Sequence, residues 1–396
     1  MRPVARRSAQ RVLRLISIAA CWAVLPVVAF AAGTPAAAPL ATTSSAAKSP
    51  AWPAWQGFAE AFVQDDGRVV DWTADARTVS EGQGYALFFA LVANDRARFQ
   101  RILDWTVDNL AQSDLAHHLP SWLWGPDAQR RWRVLDVNSA ADADLWIAYD
   151  LLEAGRLWKR SDYSSLGRAV LAQVAATEVV SYNKKSWLLP GPAGFTSAGG
   201  VRLNPSYLPP FLLSYFAAVD RSGPWAALLE SFSTLLPDIA PSGAVPDWLL
   251  LTPDGPRKDL QSDGRGSYDA VRIYLWAGIA ANDAPSTHHW RHVLAPFAEF
   301  IRQAGRLPEI WYPDGRAPQG LAPAGIETAL MPFYANLPAA DLFDAAQKRV
   351  LAATTSGLVD QPARYYEQAL TLFAQGYLEQ QYRFERDGSL RPKWNV

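Results

Sequence analysis

The sequence predicts an all-α fold: an (α/α)6 toroid of six helical hairpins, with short β-hairpins in the loops of one face. Three observations carry this. About twelve segments of helical periodicity follow one another along the chain. They alternate in character: those near 81, 139, 206, 267, 325 and 363 are rich in apolar or small residues, while partners such as 96–111 and 162–178 are amphipathic and charged. Aromatic inserts with Gly and Pro turns precede some of the apolar helices, which puts them on one face.

The chain opens on a leader. Arg2, Arg6, Arg7, Arg11 and Arg14 form a basic region, an apolar run follows from Leu15 to Phe30, and Ala29-Phe30-Ala31 is a small-x-small cleavage site. Residues 1–31 read as a signal peptide, which implies a periplasmic or secreted protein. Cys21, the sole cysteine, leaves with it, so the mature chain has neither disulfides nor thiolate chemistry. Lipidation at Cys21 is disfavoured because Arg14 leaves too short an apolar run before it. Residues 32–50, rich in Ala, Pro, Ser and Thr, read as a flexible tether. Residues 51–396 contain no linker-like stretch and read as one domain, with no later membrane span.

Losing five arginines leaves 32 basic against 38 acidic residues, a net charge of about −6, which argues against nucleic acid and polyanions. Of 17 tryptophans, many lie in Gly/Pro-rich stretches: Trp52, Trp55, Trp122, Trp124, Trp132, Trp187, Trp248 and Trp311. Either they cap the core or they form flat platforms for the apolar faces of sugar rings. Trp122, Trp124 and Trp132 lead the second reading.

The helices are expected at 53–63, 81–94, 96–111, 139–158, 162–178, 206–219, 223–236, 267–281, 287–303, 325–334, 339–353 and 363–381. Ser121–Gly125 and Arg131–Leu135 flank a Pro-Asp turn and read as a hairpin. Trp187–Pro190 is expected to pair with Gly199–Leu203, and Trp248–Leu251 to enter a third hairpin through Pro253-Asp254-Gly255.

Acids mark the starts of three apolar helices. Glu81 follows Ser80, the expected N-cap, and precedes Gly82 and Gly84, which permit close approach. Glu81 alone could simply favour the helix dipole. Asp142 and Asp144, two apart, point to different sides of their helix, one toward a cleft and one bracing the backbone. Asp269 and Arg272, three apart, share a face and could be an ordinary ion pair. Tyr85 and Tyr268 are candidate sugar or water contacts. Of the five histidines, His288 and His292 have i,i+4 spacing, but with no carboxylate partner no metal site is predicted.

Ala141-Asp142-Ala143-Asp144 with Ile147-Ala148, and the later Leu151–Trp158, resemble the signature of glycoside hydrolase family 8. Ser80–Tyr85 and Ser267–Arg272 resemble that family's other active-site segments, and the similarity runs in order from about Trp52 to the C-terminus. Asn204–Pro210 and Glu153–Lys159 narrow it to the branch that accompanies bacterial cellulose synthesis. The resemblance implies an inverting enzyme on β-1,4-glucan with an (α/α)6 barrel, no cofactor and no metal. It also implies a functional association with a cellulose synthase complex, and we expect a monomer. It makes Glu81 the general acid, Asp269 the general base and Asp142 a residue at the cleaved sugar. Beside these three, Asp144, Tyr85, Tyr268, Arg272, Trp122, Trp124 and Trp132 are our own candidates for substrate contact, and Arg272, a turn from Asp269, would also help keep that base ionised. Ala141 departs from the family's Ser or Thr, and Asp150 from its small residue.

An inverting pair stands ~6.5–9.5 Å apart across the cleft, leaving room for a water. Xylan and chitosan are cleaved by relatives. A uronate lyase would need cationic neutralisation of its substrate, which these acids oppose. A non-catalytic glucan-binding scaffold would have no need of all three acids.

Overall fold

The structure, a computed structural model, describes residues 52–395; the expected leader and tether lie outside them. These residues are mainly helical. The helices are α1 (Pro53–Phe62), α2 (Ser80–Val92), α3 (Arg96–Leu110), α4 (Ala141–Trp158), α5 (Ser161–Thr177), α6 (Pro210–Val219) and α7 (Trp225–Ile239). They continue with α8 (Val271–Ile279), α9 (Pro285–Leu294), α10 (Pro296–Ala304), α11 (Ala324–Thr328), α12 (Met331–Tyr334), α13 (Ala340–Ala353) and α14 (Tyr365–Leu378).

Burial separates two classes, as the alternation predicts. Every residue of α8, and all of α4 but Arg156, is buried. A helix apolar on all sides must be covered on all sides. By contrast α3 and α13 bury one face only. The buried helices pack in sequence: α2 on α4, α4 on α6, α6 on α8, α8 on α12, α12 and α11 on α14, and α14 back on α2. The others lie against them, with α3 on α2, α5 on α4, α7 on α6, α9 on α8, α13 on α11 and α1 on α14. Where the buried helices meet, Phe373 of α14 touches Tyr85, Phe88, Phe89, Trp146 and Trp276 at centroid distances of 5.0, 5.2, 4.7, 5.0 and 5.3 Å. Edge-to-face contact predominates, the arrangement that ring quadrupoles favour.

The small sheets are antiparallel. β1 (Thr78–Val79), β2 (Leu123–Pro126) and β3 (Trp132–Asp136) form the expected tryptophan hairpin with an added strand. β4 (Val179–Tyr182) pairs with β5 (Lys185–Leu188). β6 (Thr196–Ser197), β7 (Gly200–Leu203), β8 (Leu249–Thr252) and β9 (Gly255–Lys258) make a four-stranded sheet. β10 (Thr354–Thr355) pairs with β11 (Leu358–Val359), and β12 (Tyr382–Phe384) with β13 (Leu390–Pro392).

Four expectations are corrected. Trp187 does not pair toward Gly199–Leu203. Asn183 and Lys184 both take positive φ (50° and 61°), the two-residue turn that folds β5 back onto β4, and β7 pairs with β8 instead. Ser80 is not the N-cap: α2 begins on it, and its N–H donates to the Trp122 carbonyl at 3.0 Å as β1 runs straight into the helix. The expected helices 287–303 and 325–334 are each broken, near Pro296 and Pro332, whose nitrogens have no hydrogen to donate. Trp52, Trp55, Trp187 and Trp311 are buried core, not platforms.

Asp150, the departure in α4, is fully buried, and neither carboxylate oxygen has a hydrogen-bond partner. Burial, and then the charge of Glu153, push its pKa well above the usual carboxylate range. A folded pKa above the unfolded value of about 3.9 means that the folded state binds the extra proton. The penalty is absent below about pH 3.9 and grows as pH rises through the folded pKa. Asp150→Ala is therefore expected to stabilise the domain at pH 8 by about 1–3 kcal/mol, a gain that shrinks toward pH 4. Urea midpoints at the two pH values measure it; an equal or less stable variant at pH 8 contradicts it.

Candidate active site

The site lies where α2, α4, α8 and α14 begin. Arg272, on the first turn of α8, is 1% exposed and binds three carboxylates. Its Nη1 donates to Glu81 Oε2, to Asp142 Oδ2 at 2.9 Å and to the Tyr85 hydroxyl at 3.1 Å. Its Nη2 donates to Asp269 Oδ1 at 2.9 Å and to Ser206 Oγ at 2.8 Å. Ser206 Oγ in turn donates to Asn204 Oδ1 at 2.7 Å. Planar, always charged and rich in donors, arginine suits such a junction; lysine, a point charge, does not.

Local sequence explains how each acid arrives there. Gly82 lets α14 come close, because a Cβ there would stand 3.1 Å from the Tyr365 ring. The Tyr365 hydroxyl then reaches Glu81 Oε1 at 2.9 Å. A Cβ on Gly84 would stand 3.4 Å from Ala143 O and Trp146 Cβ, so this glycine seats α2 against α4. Gln83 bolts the start of α2 in place, accepting from Val69 N at 2.7 Å and donating to Thr106 Oγ1 at 2.9 Å. Asp142 binds the N–H of Ala143 at 2.9 Å as well as Arg272.

The acids differ in exposure. The side chains of Asp142, Glu81 and Asp269 are 5%, 17% and 34% exposed. Glu81 and Asp269 can thus meet a ligand directly, while Asp142 lies deeper. Burial pushes Glu81 up to about 7; the charges of Asp142 and Asp269 add to this, while Arg272 and the Tyr365 hydroxyl oppose it. Near neutral pH Glu81 is therefore poised to hold and release a proton, and it shares Arg272 with the half-buried Asp269.

Several proposed substrate contacts are corrected by burial. Arg272 is enclosed by the acids and holds them rather than a sugar. Tyr85 is 1% exposed, edge-on to Trp146 and Phe373, with its hydroxyl on Arg272. Asp144 is fully buried against Glu178, whose Oε1 accepts from Ser139 Oγ at 2.5 Å. Burial pushes both acids up, Glu178 to about 7, and Asp144, fully enclosed, does not reach a ligand. Tyr268 is half-buried, with its hydroxyl on Glu309 Oε1 at 3.0 Å and its carbonyl accepting from Tyr366 at 2.7 Å.

The tryptophan hairpin is tied to Glu81, because Thr78 pairs with Trp124 and Val79 with Leu123. Trp124 and Trp132 stack at 5.0 Å, with the Arg68 guanidinium 4.6 Å from each ring. Trp105 meets Trp124 edge-on at 5.3 Å. Trp132 is the outer ring, 46% exposed; Trp122 and Trp124 are half-buried. A cavity of about 770 Å³ lies at the other end of the helices, around Asp283, Tyr377 and Arg383, and none of the acids lines it.

Tyr365 and Ser206 are site residues that sequence reasoning missed, and Trp248, read there only as a core cap or a sugar platform, donates its indole N–H to Asp269 at 3.1 Å. Ser206 and Trp248 stood in segments already singled out, the Asn204–Pro210 motif and the third hairpin. Nothing in the local sequence marked Tyr365.

A buried arginine junction that gathers two acids within reach of solvent and one deeper acid suits acid–base chemistry, and the comparisons give the class of protein. The profile of Glycosyl hydrolases family 8 matches residues 21–380, and the chain belongs to that family. It is 42% identical over 348 residues to the endoglucanase of Escherichia coli (strain K12), covering 87% of this chain and 91% of that one. With the endoglucanase of Xanthomonas axonopodis pv. citri (strain 306) it shares 41% over 368 residues, 92% and 95% of the two chains. The solved endo-1,4-D-glucanase of Vibrio fischeri ES114 superposes with a TM-score of 0.80 at 36% identity, over 87% of this chain and all of that one. Endo-beta-1,4-glucanase CMCax from Acetobacter xylinum follows at 0.66 and 28%, over 82% and 96%.

The titration of Glu81 is testable directly. Tyr365→Phe removes a donor to the charged form and is expected to raise its midpoint above about 7. Asp142→Asn removes a neighbouring negative charge and is expected to lower it. Carboxyl-carbon NMR of labelled glutamate reads both; a shift in the other direction in either variant refutes this account.

Proposed function

We propose that this chain is an endo-β-1,4-glucanase that inverts configuration at the cleaved bond. One observation carries the reading: a single buried guanidinium gathers Glu81, Asp142 and Asp269, with Glu81 raised to about 7 and Asp269 the most exposed. Protonated Glu81 gives its proton to the leaving glycosidic oxygen. Asp269 takes a proton from the attacking water on the opposite side of the ring. Asp142 binds the sugar at the cleavage point and, by its charge, helps keep Glu81 protonated. The endoglucanase relatives, similar over nearly their whole length, support β-1,4-glucan as substrate.

The fold of this reading is the (α/α)6 toroid, with the acids at one mouth. The circuit of packing from α2 through α14 and back supports it, as does the likeness to the Vibrio fischeri enzyme. The leader-like residues 1–31 support export to the periplasm or beyond. Resemblance to the cellulose-synthesis branch of the family supports work on newly made glucan beside a synthase complex.

Product NMR on cello-oligosaccharides is the test: the α-anomer is expected to appear first. Retention of configuration, or a covalent glycosyl-enzyme on Asp142, would reject the mechanism. Glu81→Gln and Asp269→Asn are each expected to lower kcat about 10²–10⁴-fold while the chain still binds.

Trp132→Ala is expected to weaken binding of long oligomers by about 1 kcal/mol and of short ones less. Calorimetric titration with a length series measures this, and equal losses at all lengths would deny it a platform role.

A further inference from the structure

Asp269 is held from two sides. Oδ1 accepts from Arg272 at 2.9 Å, and Oδ2 accepts from Trp248 Nε1 at 3.1 Å. Trp248 follows Asp247, whose carboxylate grips the backbone that carries Asp269. Asp247 Oδ1 accepts from Ser267 N at 2.7 Å and Ala270 N at 2.9 Å, and Oδ2 from Ser267 Oγ at 2.6 Å. These bonds keep 267–270 as a turn, and so α8 begins only at Val271. Two consecutive residues ahead of β8 thus hold both the backbone and the carboxylate of one acid.

The indole is itself immobilised. The Arg202 guanidinium lies 3.9 Å from its ring centroid, and the Phe195 ring is parallel to it at 6.0 Å. Arg202 is locked on Asp259 by two bonds, of 3.0 and 3.2 Å, and Asp259 also accepts from Ser262 N at 2.8 Å. An indole N–H only donates, and it cannot swivel as a hydroxyl does. It takes one lone pair of Oδ2 and leaves the other for a water in a set direction.

The geometry points to Trp248 as a positioning residue for Asp269, aimed by the Asp259–Arg202 pair, rather than as a sugar platform. This rests on the assignment of Asp269 as the base. The other charged or titratable groups around Asp269 are Arg272, Glu81, Asp142, Asp247, Tyr207 and Tyr366, and Trp248→Phe leaves all of them in place.

Trp248→Phe keeps a ring under Arg202 and deletes only the donor. It is expected to lower kcat about tenfold with KM on cellopentaose unchanged, and to move the acidic limb of the kcat/KM profile to higher pH. Arg202→Ala, which frees the indole, is expected to shift both in the same direction by less, and serves if the first variant does not fold. A KM that rises with oligomer length while kcat holds makes Trp248 a platform and overturns the proposal. An unmoved acidic limb overturns it too, even where kcat falls, since a smaller folded fraction lowers kcat without moving the limb. Asp269→Asn, measured alongside, separates the two failures. If it is inactive while Trp248→Phe behaves as native, only the positioning role falls; if it is fully active, the assignment of the base falls with it.

Discussion

The arrangement depends on one buried cation. Arg272 has given up its hydration and recovers it through five acceptors, which come from α2, α4, the 267–270 turn ahead of α8 and the Asn204–Ser206 turn. Three of them are carboxylates against one guanidinium, so the fully ionised cluster carries an excess of negative charge, which a proton on one acid reduces. Taking one partner from such a group leaves a buried charge uncompensated, which costs far more than an exposed ion pair contributes. The same guanidinium that keeps the helix starts together favours the ionised form of Glu81, and burial outweighs it.

Glu81 is that acid because two local effects disagree and the larger wins. Its place at the start of α2 favours the ionised form through the helix dipole. Burial and the neighbouring Asp142 favour the neutral form, and the balance falls near 7. The Tyr365 hydroxyl trims the rise from across the site, by way of the close approach that Gly82 allows. Asp269 differs in being only half-buried. One pattern, an acid at the approach to an apolar helix, thus gives two acids of different environment at α2 and ahead of α8.

Each acid is backed by polar support from outside its own helix. Behind Asp142, the buried Asp144 faces Glu178, which closes α5 and accepts from Ser139. Behind Asp269, Asp247 and Trp248 come from the approach to β8. Glu81 is flanked by the β1–β2 pairing, which also fixes the tryptophan hairpin relative to it. Buried polar networks of this kind are costly when incomplete and rigid when satisfied. Asp144 and Asp150 show the incomplete case on α4, each a buried carboxyl whose oxygens have no hydrogen-bond partner.

Much of this was legible in the sequence, because helix identity is a local property. Apolar periodicity located nearly every helix, and the two-residue spacing of Asp142 and Asp144 correctly placed them on different sides of α4. The motifs singled out Glu81, Asp142, Asp269 and Arg272, because acids at apolar helix starts are visible in a short window. What the window could not show were partners chosen by packing. Tyr365 meets Glu81 from 284 residues away and Arg272 meets it from 191, distances over which no periodicity carries information. For the same reason Asp144 and Tyr85 passed as ligand contacts: their types suit a cleft, and only the neighbours that the fold brings over them show that they face the core. The sequence by itself determined which helices form and which acids open them. Tertiary packing decided which of those acids reach solvent, and so which one keeps its proton.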